Sequence, residues 1–258
     1  MAQLQTSSGV KDFNVVSKEE WLKARRELLK KEKEFTKLRD QMSALRREMP
    51  WEKVQKSYVF EGPNGKESLA DLFGGKSQLV VYHFMFAPEA EAACRGCSFW
   101  ADNFDGIDVH LRQRDTTFLA ISRAPYAKLN AFAQRMGWHS KFVSSFGSDF
   151  NFDFYASFTP EQLKGVALNN YEMSKPNGPD TTGVSVFVKD LNGDIYHSYS
   201  CYSRGVDMLN VAYHYLDLTP KGRDEADQKP HPMAWVRLHD QYADAKKTAS
   251  CCASEARA

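Results

Sequence analysis

Two cysteines two residues apart, Cys94-Arg95-Gly96-Cys97, are the side chains of this 258-residue sequence best suited to covalent chemistry. The thiolate is the form of cysteine that attacks disulfides and binds metals. A two-residue spacer lets one thiol reach the other across one helical turn. In disulfide exchange Cys94 would attack a substrate and Cys97 would resolve the mixed disulfide. A helix beginning at Cys94 would supply unpaired N–H groups and partial positive charge to hold the anion. Arg95 would add a cation between the two sulfurs. This reading expects a Cys94 pKa below the ordinary ~8.5 and a potential more oxidising than a typical reductant's.

Other residues extend or compete with this reading. His83 lies near the end of an apolar run, residues 78–86, on the sheet end expected to face the dithiol. It would move protons during exchange, or be a satisfied core histidine. Arg123, just past the next apolar run, would orient an anionic substrate or thiolate, or form a plain ion pair. Metal or haem binding is an alternative, with Cys94, Cys97, His83 and Cys201 as candidate ligands. A zinc site wants four ligands, yet there is no second C-x-x-C and no H-x-x-x-H pair. The exchange reading itself requires no cofactor. Thiol peroxidase action is a further alternative. A peroxide site wants the order Pro-x-x-x-Thr/Ser-x-x-Cys, a proline seven residues and a hydroxyl three residues before its cysteine. Here Pro88 is six residues before Cys94 and Glu91 occupies the hydroxyl position, so the motif fails. Cys251-Cys252, in the tail TASCCASEARA, is either a resolving or metal-capturing pair or incidental.

Composition bounds the rest. Hydrophobic residues make up 42% and charged residues 26%, with a formal net charge of +1. Those values suit a soluble globular protein and give no global field for nucleic acid. No apolar run approaches the ~18 residues of a membrane span. The N-terminal residues lack the charged start and apolar core of a secretory signal. A cytoplasmic location is therefore expected. Five cysteines, unevenly placed, do not make a disulfide framework. The expected partner is a thiol or disulfide protein, or a small-molecule substrate.

The elements that must position the dithiol can be read from periodicity. Residues 1–16 read as a flexible arm. Residues 17–50 read as a long amphipathic helix, with Ser17 and Glu20 forming a capping box and Pro50 stopping it. Trp21, Leu28, Phe35, Met42 and Met49 recur every seven residues, with Ala24, Leu38 and Leu45 between them. Over about 50 Å this is one apolar stripe, to be covered by the main domain or by a second copy in a homodimer. Residues 51–75 read as short strands and turns, and 78–86 as a buried central strand. A helix follows Cys97 through residue 114, with Gly106 as an interruption. Residues 116–122 form a strand. A helix opens at Pro125 and closes at Gly137, and a third strand covers 142–146. Residues 147–182 read as an irregular insert. The turn Asp190-Leu191-Asn192-Gly193 joins strands 183–189 and 194–200 in a hairpin. Residues 205–216 read as the last core helix. The fold class is α/β, a thioredoxin-like or peroxiredoxin-like central sheet flanked by helices. Its domain spans 51–218, and 219–258 form a polar C-terminal extension with a short helix near 235–242.

The stretches YHFMF, CSFWADNFDG, HLRQRD, SRAP, RMGW, SSFGSDFNFDF, SVFVKD, YLDLTPKGR and WLKARRELLKKEKEFTKLRD resemble the family known as domain of unknown function 899. The resemblance covers roughly residues 15–225. It implies a thioredoxin-like fold and a dithiol-disulfide oxidoreductase activity carried by Cys94 and Cys97. The family often has proline inside the dithiol, where Arg95 stands, and GPDW before it, where Ala87-Pro88-Glu89-Ala90 stands. Thioredoxins carry a cis-proline before the hairpin strand, and here that position reads Thr182-Gly183-Val184. These departures imply a small or dedicated substrate rather than general protein disulfide exchange.

Overall fold

The computed structural model describes residues 14–242. Helix α1 (Lys18–Glu48) comes first. The Ser17 Oγ accepts the Glu20 N–H at 3.2 Å, and the Glu20 carboxylate accepts the Ser17 N–H at 3.0 Å. This reciprocal box satisfies donors that the first turn leaves open. No residue of α1 is buried, and Trp21, Leu28, Phe35 and Met42 are exposed along it. The seven-residue repeat therefore forms an exposed apolar stripe. No helix among the described residues is long and apolar enough to cross a membrane.

The chain divides into two compact units. One contains α1 and Leu216–Arg223; the other contains Trp51–Tyr215 and the residues from Asp224 on. The second unit is built on strands β1 (Glu52–Lys53), β2 (Val59–Gly62), β3 (Gly65–Ser68), β4 (Gln78–His83), β5 (Thr116–Ser122) and β6 (Phe142–Ser144). A separate pair, β7 (Ala167–Asn169) and β8 (Glu172–Ser174), precedes β9 (Gly183–Lys189) and β10 (Ile195–Tyr202). The helices are α2 (Leu69–Leu72), α3 (Arg95–Ala101), α4 (Asp108–Arg112), α5 (Tyr126–Arg135), α6 (Phe150–Asp153), α7 (Pro160–Lys164) and α8 (Val211–Leu216).

Eight strands form one sheet in the order β1-β10-β9-β4-β5-β6-β2-β3. At its centre β4 runs parallel to β5 and antiparallel to β9. Strand β10 folds back on β9 through the Asn192-Gly193 turn, where Gly193 takes φ +89°. A strand flanked on both edges and covered on both faces must be apolar throughout, which explains the run at residues 78–86. The parallel pair followed by an antiparallel hairpin, with α3 leaving the end of β4, is the thioredoxin-like arrangement.

Alternation along β4 assigns its faces. Leu79 and Val81 join Leu119, Ile121, Val143, Phe150 and Phe187 in the main core. Tyr82 points the other way, its ring 4.9 Å from Phe104 in an edge contact. Phe150 sits at the centre of the main core, with rings of Tyr58, Phe60, Phe154 and Phe187 within 6 Å of it.

Several expectations need correction. The stretch 147–182 is not a mere insert, since its Phe150 and Phe154 complete the core. The helix after the dithiol ends at Ala101, and α4 starts only after Gly106 at φ +86°. The last core helix is split into a 3-10 segment, Ser203–Leu209, and α8, because Asn210 adopts extended backbone between them. Residues 224–242 are packed on the fold: Val236 and Leu238 are buried, flanked by 3-10 turns at Pro232–Trp235 and His239–Gln241.

Truncating Phe150 to alanine should lower unfolding free energy by about 3–5 kcal/mol, the range for a large buried ring. Urea denaturation of the purified protein measures it. A surface control such as Phe35→Ala should shift stability by less than about 0.5 kcal/mol.

Candidate active site

Cys94 is the capping residue of α3. Its N–H donates to the Met85 carbonyl at 3.0 Å, and its own carbonyl accepts the Ser98 N–H at 2.9 Å. The main chain is thereby pinned between the strand end and the helix. Three donors face its sulfur: the Cys97 thiol first, then the backbone N–H groups of Cys97 and Gly96, with His231 adding a small favourable charge interaction. Against the upward push of burial, they pull the Cys94 pKa down to about 6. At pH 7 about nine-tenths of such a group is thiolate.

Cys97 is fully buried, and burial drives its pKa well above the usual value. Its sulfur accepts the Met85 N–H at 3.4 Å. Met85 therefore touches both cysteines through its backbone. The pair is asymmetric: Cys94 is ionised and partly exposed, Cys97 protonated and buried. Arg95 is exposed, so water screens its charge. The fixed cation expected between the sulfurs is replaced in effect by the thiol and backbone donors.

Two hydroxyls meet Cys97 from the sheet side. Thr182 and Tyr82 each interact with its sulfur by hydrogen bonding. The Thr182 Oγ1 donates to the Tyr82 hydroxyl at 2.8 Å. Gly183 beside Thr182 is required by packing, because a Cβ there would stand 2.3 Å from the Tyr202 ring.

His83 does not join this site. It follows Tyr82 on β4 and so faces the opposite side of the sheet. Its ring is buried and stacked near Phe150 and Tyr202. The Nε2 atom bonds Ser185 Oγ at 2.8 Å, which bonds Ser200 Oγ at 2.8 Å, which bonds His197 Nε2 at 2.6 Å. Burial, with a smaller contribution from His197, depresses the His83 pKa to about 3.

Arg123 is also held elsewhere. It grips Asp180 through two bonds of 2.8 and 3.1 Å, with its guanidinium 5.3 Å from the Phe152 ring centre. Cys201 closes β10, its thiol meeting the Gly205 carbonyl at 3.5 Å. Among the described residues no three His, Cys, Asp or Glu side chains gather as a metal site would need. The structure brings Cys94 and Cys97 together, but not His83, Arg123 or Cys201 with them. Cys251 and Cys252 lie outside the described residues.

Tyr82 and Met85 are the site residues that sequence reasoning missed, while Thr182 was noted only as standing where a thioredoxin's proline would be. Placing Leu79 and Val81 in the core would have put His83 on their face and Tyr82 on the dithiol's face. Met85 left no such signal, since it acts through its backbone. A cleft of about 260 Å³ opens beside Met85, lined also by Phe158, Asn169, Asn177 and Ser203.

Sheet, dithiol and helix together define a thioredoxin-like protein. Over residues 10–242 the sequence matches the family described as bacterial protein of unknown function, DUF899, and the chain belongs to that family. No curated protein shows significant sequence similarity to it. Among solved structures it is similar to peroxidoxin BcpB from Mycobacterium tuberculosis, at 16% identity and TM-score 0.35, covering 62% of this chain and 93% of that one. It is also similar to the bacterioferritin comigratory protein of Xanthomonas campestris, at 11% identity and TM-score 0.41, covering 64% and 96%. A candidate thiol:disulfide interchange protein DsbE from Chlorobium tepidum matches at 12% identity and TM-score 0.36, covering 65% and 94%.

The buried imidazole has a consequence for stability. Unfolded, His83 takes a proton near pH 6.5; folded, it resists protonation down to about 3. The unfolded state therefore binds more protons between those values, and stability falls as pH drops through that window. At pH 5 this one residue should cost about 2 kcal/mol relative to pH 7. Urea titrations at the two pH values should show that loss in the parent and a smaller one in His83→Gln.

Proposed function

We propose that this protein is a thiol–disulfide oxidoreductase acting on a small or dedicated substrate, with Cys94 as nucleophile and Cys97 as resolving thiol. The observation that carries the reading is the asymmetry of the pair. One sulfur, at the cap of α3, is an anion at neutral pH, and the other is a buried thiol that hydrogen-bonds to it.

The chemistry follows from those states. The Cys94 thiolate attacks one sulfur of a substrate disulfide; a Cys94–substrate bond forms and the other half leaves as a thiolate. Cys97 then attacks the Cys94 sulfur, forming the Cys94–Cys97 disulfide and releasing the second half. The substrate disulfide is reduced by two electrons and the dithiol oxidised by two. The reverse direction oxidises a substrate dithiol or two thiols by the same bonds. A low Cys94 pKa stabilises the reduced form and shifts the couple in the oxidising direction.

Cys97 must lose its proton in the second step. Once Cys94 is bonded to substrate it no longer accepts the Cys97 hydrogen bond. The Tyr82 hydroxyl, which accepts from Thr182, then turns its own hydrogen toward the new anion and lowers the cost of ionising a buried sulfur.

Iodoacetamide trapping across pH tests the nucleophile: Cys94 should react with a midpoint near pH 6, and Cys94→Ser should abolish turnover of a small disulfide. A midpoint above pH 8 would reject the assignment. In Thr182→Val, the first step should persist while the second slows by about tenfold, the order of one lost hydrogen bond to a charged group. Rapid-quench mass spectrometry should then show the mixed disulfide accumulating. Its lifetime should lengthen further in Cys97→Ser.

A further inference from the structure

The segment after residue 223 reaches the dithiol and does more than close the fold. Met233 presents its Cε atom 3.4 Å from the point where a side chain on Gly96 would begin, and the Cys94 sulfur stands 3.6 Å from the same point. A thioether methyl and the nucleophile thus flank one glycine. A Cβ at position 96 would touch both at ordinary van der Waals distance, so the methyl and the sulfur line the same small space.

The segment is fastened at several points. Trp235 packs edge-on against Phe99 with ring centres 5.6 Å apart, and its Nε1 donates to Glu225 at 2.7 Å. Val236 and Leu238 are buried. Asp240 pairs with Arg135 at 2.8 Å, and His239 Nδ1 meets Asp102 at 2.7 Å. Buried apolar side chains, the Trp235–Glu225 bond and the polar contacts of His239 and Asp240 fix a strap across the start of α3.

We infer that this strap, through Met233, is the specificity-determining element of the dithiol, admitting low-molecular-mass thiols and disulfides and excluding disulfides in folded proteins. The inference rests on the exchange reading and names its substrate class. A protein disulfide must bring a broad surface to Cys94, and Met233 with its strap stands in that approach. A small disulfide needs only a narrow path. The cleft beside Met85 is lined by the amides of Asn169 and Asn177, the hydroxyl of Ser203 and the carboxylate of Asp180, which Arg123 pairs. These groups suit a ligand with amide, hydroxyl or ammonium functions rather than an anionic one.

The test separates access from turnover. Cys94 in the reduced full chain is alkylated with iodoacetamide and with a maleimide bearing a 5-kDa polyethylene glycol, alongside N-ethylmaleimide as the size control. The parent should react well with both small reagents and at least about tenfold more slowly with the bulky one, relative to a free peptide thiol. Met233→Ala should recover most of that difference while changing the iodoacetamide rate by less than about twofold. Trp235→Ala, which loosens the anchor rather than the cap, should act in the same direction. Circular dichroism confirms that each variant is folded. The idea is overturned by a parent that takes the bulky reagent as readily as the small ones, or by variants that leave the ratio unchanged. Insulin and hydroxyethyl disulfide as paired substrates supply the second readout: Met233→Ala should raise insulin reduction selectively. If alkylation shows the size filter but neither disulfide turns over, the exchange reading fails and the strap stands.

Discussion

A hydrogen bond between two sulfurs, reinforced by the backbone at the start of a short helix, is the interaction on which this site depends. Water would stabilise a lone thiolate well enough, but Cys94 is only partly open to it. In its place stand the Cys97 thiol and the N–H groups of Gly96 and Cys97. Their donors are fixed by covalent geometry and helix hydrogen bonding, so they need no rearrangement when charge appears. Burial keeps Cys97 protonated, and the same bond to an existing anion adds to it. Burial and one contact together set the two roles.

The rest of the fold serves to hold that contact in register. Strand β4 is enclosed by β5 and β9, so its end cannot shift without disturbing the centre of the sheet. Met85, just beyond it, bonds the main chain of Cys94 and the sulfur of Cys97. The start of β9 delivers Thr182 against the same buried sulfur, with Gly183 allowing the close approach of Tyr202. Burial on both faces of β4 makes each face chemically distinct. One carries Tyr82 to the dithiol; the other carries His83 into a serine-linked chain within the aromatic core. Adjacent residues on one strand thus end in unrelated environments. Sheet geometry, not residue chemistry, makes that division.

Arg123 illustrates the same point from the other side. An arginine just past a central strand is well placed to serve a thiolate, and its charge is permanent. Here Asp180 supplies two acceptors in a partly buried setting, and the guanidinium is oriented by them. The pair ties the end of β5 to the loop that leads into β9. Its role is to fix the loop carrying Thr182, one step removed from sulfur chemistry.

The sequence alone determined the dithiol, the strand before it, the hairpin after it and the capped helix at the beginning of the chain. Each of these is a local pattern: a two-residue spacing, an apolar run, an Asn-Gly turn, a Ser-x-x-Glu box. Local patterns are legible because the forces behind them act between near neighbours along the chain. Tertiary structure alone decided which of Tyr82 and His83 meets the sulfurs, since a strand's alternation has no absolute sense until one face is packed. It alone brought Thr182 to Cys97 across 85 positions and Met233 to Gly96 across 137. It also drew Phe150 and Phe154, in a stretch that looked irregular, into the core. Contacts between residues so distant in sequence are chosen by the burial of the whole sheet, and no spacing rule within the chain encodes them.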